Sequence, residues 1–303
     1  MKKIIILLSS VVMALSACGR FANEENTLSA TGEKTDTTGQ RIICLAKQYN
    51  EIMYALGAEK NLVAVDLSST YPPEIRELTT VGYHRALSAE GILSMKPDLI
   101  IHDNNVGPEH VMRQLEELKI PMKTFGDYEQ DIAGTQKLMR EMGAYFGKED
   151  KAEELSNRLE KDMDKALEGR KAYSDTPKVV VIHFGRASNI YLTVTRASTA
   201  GKMIEWAGGE IAIDGERGMR HLSSPELIAQ ANPDVILLTD FGYDRLGSQQ
   251  KIEELPGVSG TNAARNERIY RVEEHDLIYL GPRTGKNVLK LRELIHRTGH
   301  EES

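Results

Sequence analysis

The sequence predicts an α/β fold: two doubly wound α/β lobes with mostly parallel sheets, joined by one long α-helix. Three observations carry this expectation. Short apolar runs alternate with helical patterns along most of the 303 residues, the order that builds parallel sheets with helices on both faces. A local pattern occurs twice, 136 residues apart: a Glu stands seven residues before the Pro of a Pro-Asp pair, and an apolar strand follows (Glu90 with Pro97-Asp98-Leu99-Ile100-Ile101; Glu226 with Pro233-Asp234-Val235-Ile236-Leu237-Leu238). One recurrence is too few for a solenoid and fits two similar lobes. Between the copies, residues 148–172 contain no Pro and one Gly, and carry a narrow apolar stripe at Ala152, Leu155, Leu159, Met163 and Ala166/Leu167. That stretch reads as a stiff connecting helix, too short for a coiled-coil strand to be favoured.

The elements follow in order. Lys2-Lys3 and the apolar run Ile4–Leu15 have the form of an export signal, too short to span a bilayer permanently. Leu15-Ser16-Ala17-Cys18 matches a lipobox, so residues 1–17 are expected to be cleaved and Cys18 to be lipidated. The alternative is an ordinary cysteine in a cleaved signal. Residues 18–40 are polar and have the composition of a tether. The first lobe is expected over 41–147, the linking helix over 148–172 and the second lobe over 173–303. In the first lobe, strands are expected at 41–45, 62–66, 98–102 and 122–125, with helices near 50–56, 89–95, 110–118 and 132–146. In the second, strands are expected at 178–183, 190–193, 235–239 and 269–272, with helices at 200–207, 252–255 and 284–297. Cys44, the only other cysteine, falls in an apolar strand and reads as a small core residue.

The net charge of -7, without a dominant basic patch, argues against a nucleic-acid partner. No Walker A loop, Gly-x-Ser-x-Gly elbow, His-Glu-x-x-His or strand-linked Gly-x-Gly-x-x-Gly is present. His296 and His300 are four apart, but their charged tail favours a solvated surface pair over a metal site. In open α/β sheets ligands bind beyond the carboxyl ends of the strands. With two lobes facing each other those ends line a cleft, where the candidates are Tyr83, His84, Arg85, His102, His183, Arg186, His275 and Gly281-Pro282-Arg283-Thr284. Tyr71 is a weaker one.

The stretch Gly82-Tyr83-x-Arg85-x-Leu87-Ser88-Ala89-Glu90-Gly91-Ile92-Leu93-Ser94-x-Lys96-Pro97-Asp98 resembles the haem-binding proteins of bacterial ABC haem importers, within the cobalamin and siderophore substrate-binding superfamily. Gly281-Pro282-Arg283-Thr284 is similar to a second signature of that group. The resemblance covers nearly all of the chain after residue 40. It implies a non-enzymatic, lipid-anchored extracytoplasmic protein that captures haem between its lobes and delivers it to a permease dimer with ATPase subunits. It also implies that Tyr83 is the axial ligand of the haem iron. A free phenol titrates near ~10 and is a poor ligand at neutral pH, but ferric iron and a nearby guanidinium both favour the phenolate. Arg85 and Arg283 are the guanidiniums expected beside it or on a haem propionate. The plain alternatives are a loop tyrosine capping the core and a salt bridge at a helix start.

The slot after the tyrosine departs from the family pattern. His84 stands where the relatives typically have an apolar residue, as a second donor or, the favoured reading, as a solvent-exposed neighbour. His183 could reach the cleft from the second lobe, or be a hydrogen-bonded strand-end histidine. Glu90 and Glu226 each hold the second position of a Ser-capped helix, where a carboxylate complements the helix dipole. The resemblance adds a docking role, one acidic residue per lobe against permease arginines. The rival ligands are cobalamin and an iron siderophore. A tetrapyrrole metal chelatase is the rival from another class.

Overall fold

The structure, a computed structural model, describes residues 39–186 and 188–297. The expected signal segment and Cys18 lie outside them, as does His300.

The first sheet is fully parallel. It uses β1 (Ile42–Cys44), β2 (Leu62–Val65) and β3 (Thr79–Thr80), with β6 (Leu99–Ile101) and β7 (Met122–Lys123), in the order β3-β2-β1-β6-β7. A two-stranded hairpin, β4 (Gly82–Tyr83) and β5 (Ala86–Leu87), lies outside it. The helices of this half are α1 (Lys47–Leu56), α2 (Ala89–Ser94), α3 (Glu109–Glu117) and α4 (Ile132–Tyr145). Helix α5 (Glu149–Arg170) follows.

The second half holds β8 (Lys178–Gly185), β9 (Ile190–Val194), α6 (Thr199–Ala207), β10 (Glu210–Ile211), β11 (Met219–His221), α7 (Pro225–Ala231), β12 (Val235–Thr239) and α8 (Asp240–Leu246). It ends with α9 (Gln249–Glu253), α10 (Asn262–Arg265), β13 (Ile269–Val272), α11 (Glu274–Ile278) and α12 (Thr284–Ile295). Its sheet runs β11-β9-β8-β12-β13, with β10 also on β8. The pairs β10–β8, β8–β12 and β12–β13 are parallel, whereas β9 is antiparallel to both β8 and β11.

Alternation along the strands assigns the core. Ile42 and Cys44 point to one side of the first sheet, Ile43 and Leu45 to the other; Val179 and Val181 oppose Val180 and Ile182 in the same way. One face of each sheet contributes to a single apolar cluster that runs through α5, where Ala152, Leu155, Leu159, Met163 and Ala166 are buried. Leu167, the alternative end of the expected stripe, is exposed. The connector is therefore cemented to both halves. Gly143 lets α4 approach Ala152, and Gly285 lets α12 approach the backbone at Asp162 and Met163.

The repeated pattern has a common physical basis. Asp98 accepts the backbone N–H of Arg41 at 2.8 Å, and Asp234 accepts that of Lys178 at 3.0 Å. Each aspartate thus fixes its own strand, β6 or β12, beside the strand it parallels, β1 or β8. The residue before each Pro, Lys96 or Asn232, is left-handed (φ 48° and 38°), which ends the helix before the strand begins. Cys44 is a buried free thiol, as expected. His296 corrects the surface-pair expectation: its side chain is buried against Tyr173, with Nδ1 3.1 Å from Asp175.

Candidate functional site

Tyr83 ends strand β4, and the two-residue turn His84-Arg85 reverses the chain into β5. The hairpin is fixed at both sides: Leu67 N–H donates to the Gly82 carbonyl at 2.8 Å, and Gly107 N–H to the His84 carbonyl at 2.8 Å. Gly82 has φ 104°, backbone that a side chain would strain. His84 anchors the turn from beneath. Its Nδ1 lies 3.0 Å from Ser68 Oγ and 3.2 Å from Asp66 Oδ2, and the ring is buried. The expectation of a solvent-exposed neighbour is therefore corrected. The short loop after β2 supplies a buried carboxylate, and the imidazole follows it inward.

The Tyr83 ring is half-buried, and burial pushes its phenol above the ordinary tyrosine range. Lys47, Arg85 and Arg186 pull the other way, and Glu274 reinforces the rise. Arg85 is exposed on the hairpin turn. Arg186, just past the carboxyl end of β8, brings its guanidinium carbon 5.9 Å from the Tyr83 ring centroid and 4.1 Å from that of Phe241. His183, in β8, is buried with Nδ1 3.4 Å from Thr239 Oγ1 and 3.6 Å from Glu274 Oε2. Burial holds its imidazole below the ordinary histidine range, although Glu274 opposes this.

A buried ion cluster joins the two halves beside this site. Lys47, at the start of α1, pairs with Glu274 at the start of α11, and its ammonium sits 4.7 Å over the Tyr279 ring. Glu51, one turn further along α1, accepts from His275 Nε2 at 2.5 Å and from Arg283 Nε at 2.8 Å. Burial alone would raise the Glu51 carboxyl, but His275 and Arg283 hold it below the usual carboxylate range. Arg283 also pairs with Asp276 at 2.7 Å and lies 3.4 Å over the Tyr71 ring. Gln48 donates to the Leu280 carbonyl at 2.6 Å. Gly281 belongs to the same device, because a Cβ there would stand 2.9 Å from Glu51 Oε2. A cavity of about 410 Å³ opens between the halves, lined among others by Tyr49, Phe125, Tyr128, Met219 and Tyr279; Tyr83, His183 and Arg186 do not line it, so it is separate from the Tyr83 hairpin.

Two sheets with their carboxyl ends facing one cleft and a helical connector form the frame of a binding protein. The family model described as "Periplasmic binding protein" matches residues 42–275. The chain belongs to the periplasmic binding protein family. Similar members include YvrC, an uncharacterised ABC transporter substrate-binding lipoprotein of Bacillus subtilis (strain 168). It is 28% identical over 96% of this chain and 95% of the other. The vitamin B12-binding protein of Pectobacterium atrosepticum is 27% identical over 66% and 71%. Among solved structures, the periplasmic heme-binding protein RhuT of Roseiflexus sp. RS-1, in apo form, superposes with a TM-score of 0.77. It is 31% identical and the match covers 85% of this chain and 98% of the other.

The structure brings Arg186 beside Tyr83, holds His183 against Thr239 and Glu274, and places Arg283 in the neighbouring ion cluster. Arg283 makes the salt bridge that was its plain alternative, to Glu51 of the other half and to Asp276 of its own. Tyr71 and His275 join the same cluster, with ring centroids 5.6 Å apart. His102 is buried and its Nδ1 accepts from Asn104 N–H, which ties it to its own loop. Glu90 and Glu226 are exposed, one on each half. Their caps Ser88 and Ser224 accept from Gly91 N–H at 3.1 Å and Glu226 N–H at 3.2 Å, and the Ser224 hydroxyl also donates to the Glu226 carboxylate. Sequence reading missed Lys47, Glu51 and Glu274, because a charge near a helix start normally reads as solvated. The available signal was position: Lys47 and Glu51 lie one turn apart just past the carboxyl end of β1.

Proposed function

We propose that this chain is the haem-binding protein of an ABC importer, held at the membrane by lipid on Cys18. Haem enters the cleft with its iron against Tyr83 and is passed to a permease dimer driven by ATPase subunits. The observation that carries the reading is a half-buried phenol presented on an anchored hairpin that faces the second half across a contact with Arg186. Burial holds this phenol protonated until iron arrives, and Lys47 and Arg85 work against that burial. The likeness to a periplasmic heme-binding protein over most of both chains supports the same ligand. Glu90 and Glu226, exposed on opposite halves at matching positions of matching helices, would dock on the permease.

A second reading, cobalamin, is favoured by the vitamin B12-binding proteins among the relatives. Visible-absorbance titration of the purified chain with ferric haem and, separately, with cyanocobalamin tests the two. The haem reading expects a saturable Soret change at stoichiometric haem and no saturable binding of cyanocobalamin. The reverse result would replace haem with cobalamin.

A further inference from the structure

We infer that Arg186 is the second half's ligand-binding cation, and that it receives a carboxylate on the edge of the molecule held against Tyr83. The inference rests on the haem reading and deepens it by naming a residue that selects an acidic tetrapyrrole over an amidated one.

The cations of the cleft differ in how far they are already neutralised. Lys47 is paired with Glu274, and Arg283 is shared between Glu51 and Asp276. Arg85 stands in solvent at the hairpin turn. Arg186 is different. It forms no ion pair with an acid among the described residues, and its Nη1 is buried without a hydrogen-bond partner. Glu274 feels its charge, but that carboxylate is engaged by Lys47. An unsatisfied buried donor on a charged group is costly, and the cost is recovered when an acceptor arrives.

The placement suits a ligand as well. Arg186 follows the carboxyl end of β8, where open α/β sheets bind their ligands. The guanidinium carbon lies 4.1 Å from the Phe241 ring centroid, a cation–π contact that steadies the side chain. The Tyr83 ring lies 5.9 Å away. A ligand in contact with Tyr83 thus brings its periphery within reach of a guanidinium whose Nη1 is buried and unpartnered, and a guanidinium can bind a carboxylate by two hydrogen bonds. Haem carries two ionised carboxylates on its edge. A corrinoid whose peripheral acids are amides offers no such anion.

The test uses the full chain in detergent, with Arg186→Ala and Arg186→Lys, titrated with ferric haem and with haem dimethyl ester and read at the Soret band. The wild type is expected to prefer the free acid. Arg186→Ala should weaken haem by about tenfold or more, the scale of one charge-assisted hydrogen bond, and change the diester by less than about twofold. Arg186→Lys should recover part of the preference. Far-UV circular dichroism establishes that each variant is folded. Equal weakening of both ligands, or no change for haem, would overturn the assignment of Arg186 while leaving haem as ligand. A folded wild type that binds neither form would overturn the haem reading and the Arg186 assignment together.

Discussion

Replacing Glu51 with Ala should loosen the junction between the two halves. Glu51 is buried and accepts from two groups of the other half, His275 and Arg283. Its removal leaves both donors buried without that acceptor. Breaking a buried pair by deleting one partner costs about 3–5 kcal/mol. Arg283 keeps Asp276 at 2.7 Å, so the lower end applies, about 3 kcal/mol. For a domain of this size each kcal/mol shifts Tm by about 2–4 °C, giving a drop of about 6–12 °C. Scanning calorimetry at pH 7 measures it, and Glu51→Gln, which retains an acceptor, should fall between Ala and wild type. The pH dependence has a definite sign. The folded state holds the Glu51 carboxyl below its ordinary range, so its contribution is present above the unfolded value near ~4.3 and lost as pH falls through the folded one. The gap between wild type and Glu51→Gln should therefore be widest near neutrality and close in acid. A shift under about 1 °C at pH 7 would refute the claim that this cluster ties the halves together.

Three further outcomes are expected. Burial raises the Asp240 carboxyl to about 6, with Glu273 and Glu274 adding to the rise. The ionised form is thus disfavoured by folding, stability falls as pH climbs from about 4 to 6, and Asp240→Asn should raise Tm at pH 8 but not at pH 4; an equal loss at both pH values would contradict this. Leu159→Ala, in the stripe of α5 shared by both sheets, should cost about 2–5 kcal/mol by denaturant melts with a cavity left behind, and a loss under about 1 kcal/mol would mean that α5 is not packed as described. The pair Glu90→Ala and Glu226→Ala should leave haem titration unchanged and abolish stimulation of ATP hydrolysis by the reconstituted transporter; loss of haem binding instead would assign these residues a structural role.

Most of the fold was legible because its signals are local. Leu99-Ile100-Ile101 and Val235–Leu238 are apolar on both alternating faces, which is what strands covered on two sides require, and Ser88 and Ser224 mark the helix starts they cap. The connector's stripe could be read from its spacing. The second sheet's antiparallel strand β11 was missed, since Met219-Arg220-His221 has no apolar run and is made a strand only by pairing with β9. Helices α8 and α11 were missed for a related reason: their first turns hold Asp240 and Glu274, whose burial depends on partners elsewhere in the chain. The site divides along the same line. Tyr83 was visible in its motif, whereas the roles of His84 and Arg283 depend on Asp66 and Glu51, 18 and 232 residues away. No local pattern announces such a pairing.

The most direct test of the account is the visible spectrum of the ferric haem complex of the wild type beside that of Tyr83→Phe. The substitution removes only the hydroxyl and preserves the ring that packs against His84. A phenolate-to-iron charge-transfer band present in the wild type and absent in the variant, with a matching loss of affinity, is the predicted result. A wild-type haem spectrum that the substitution leaves unchanged would contradict it and move iron coordination away from Tyr83.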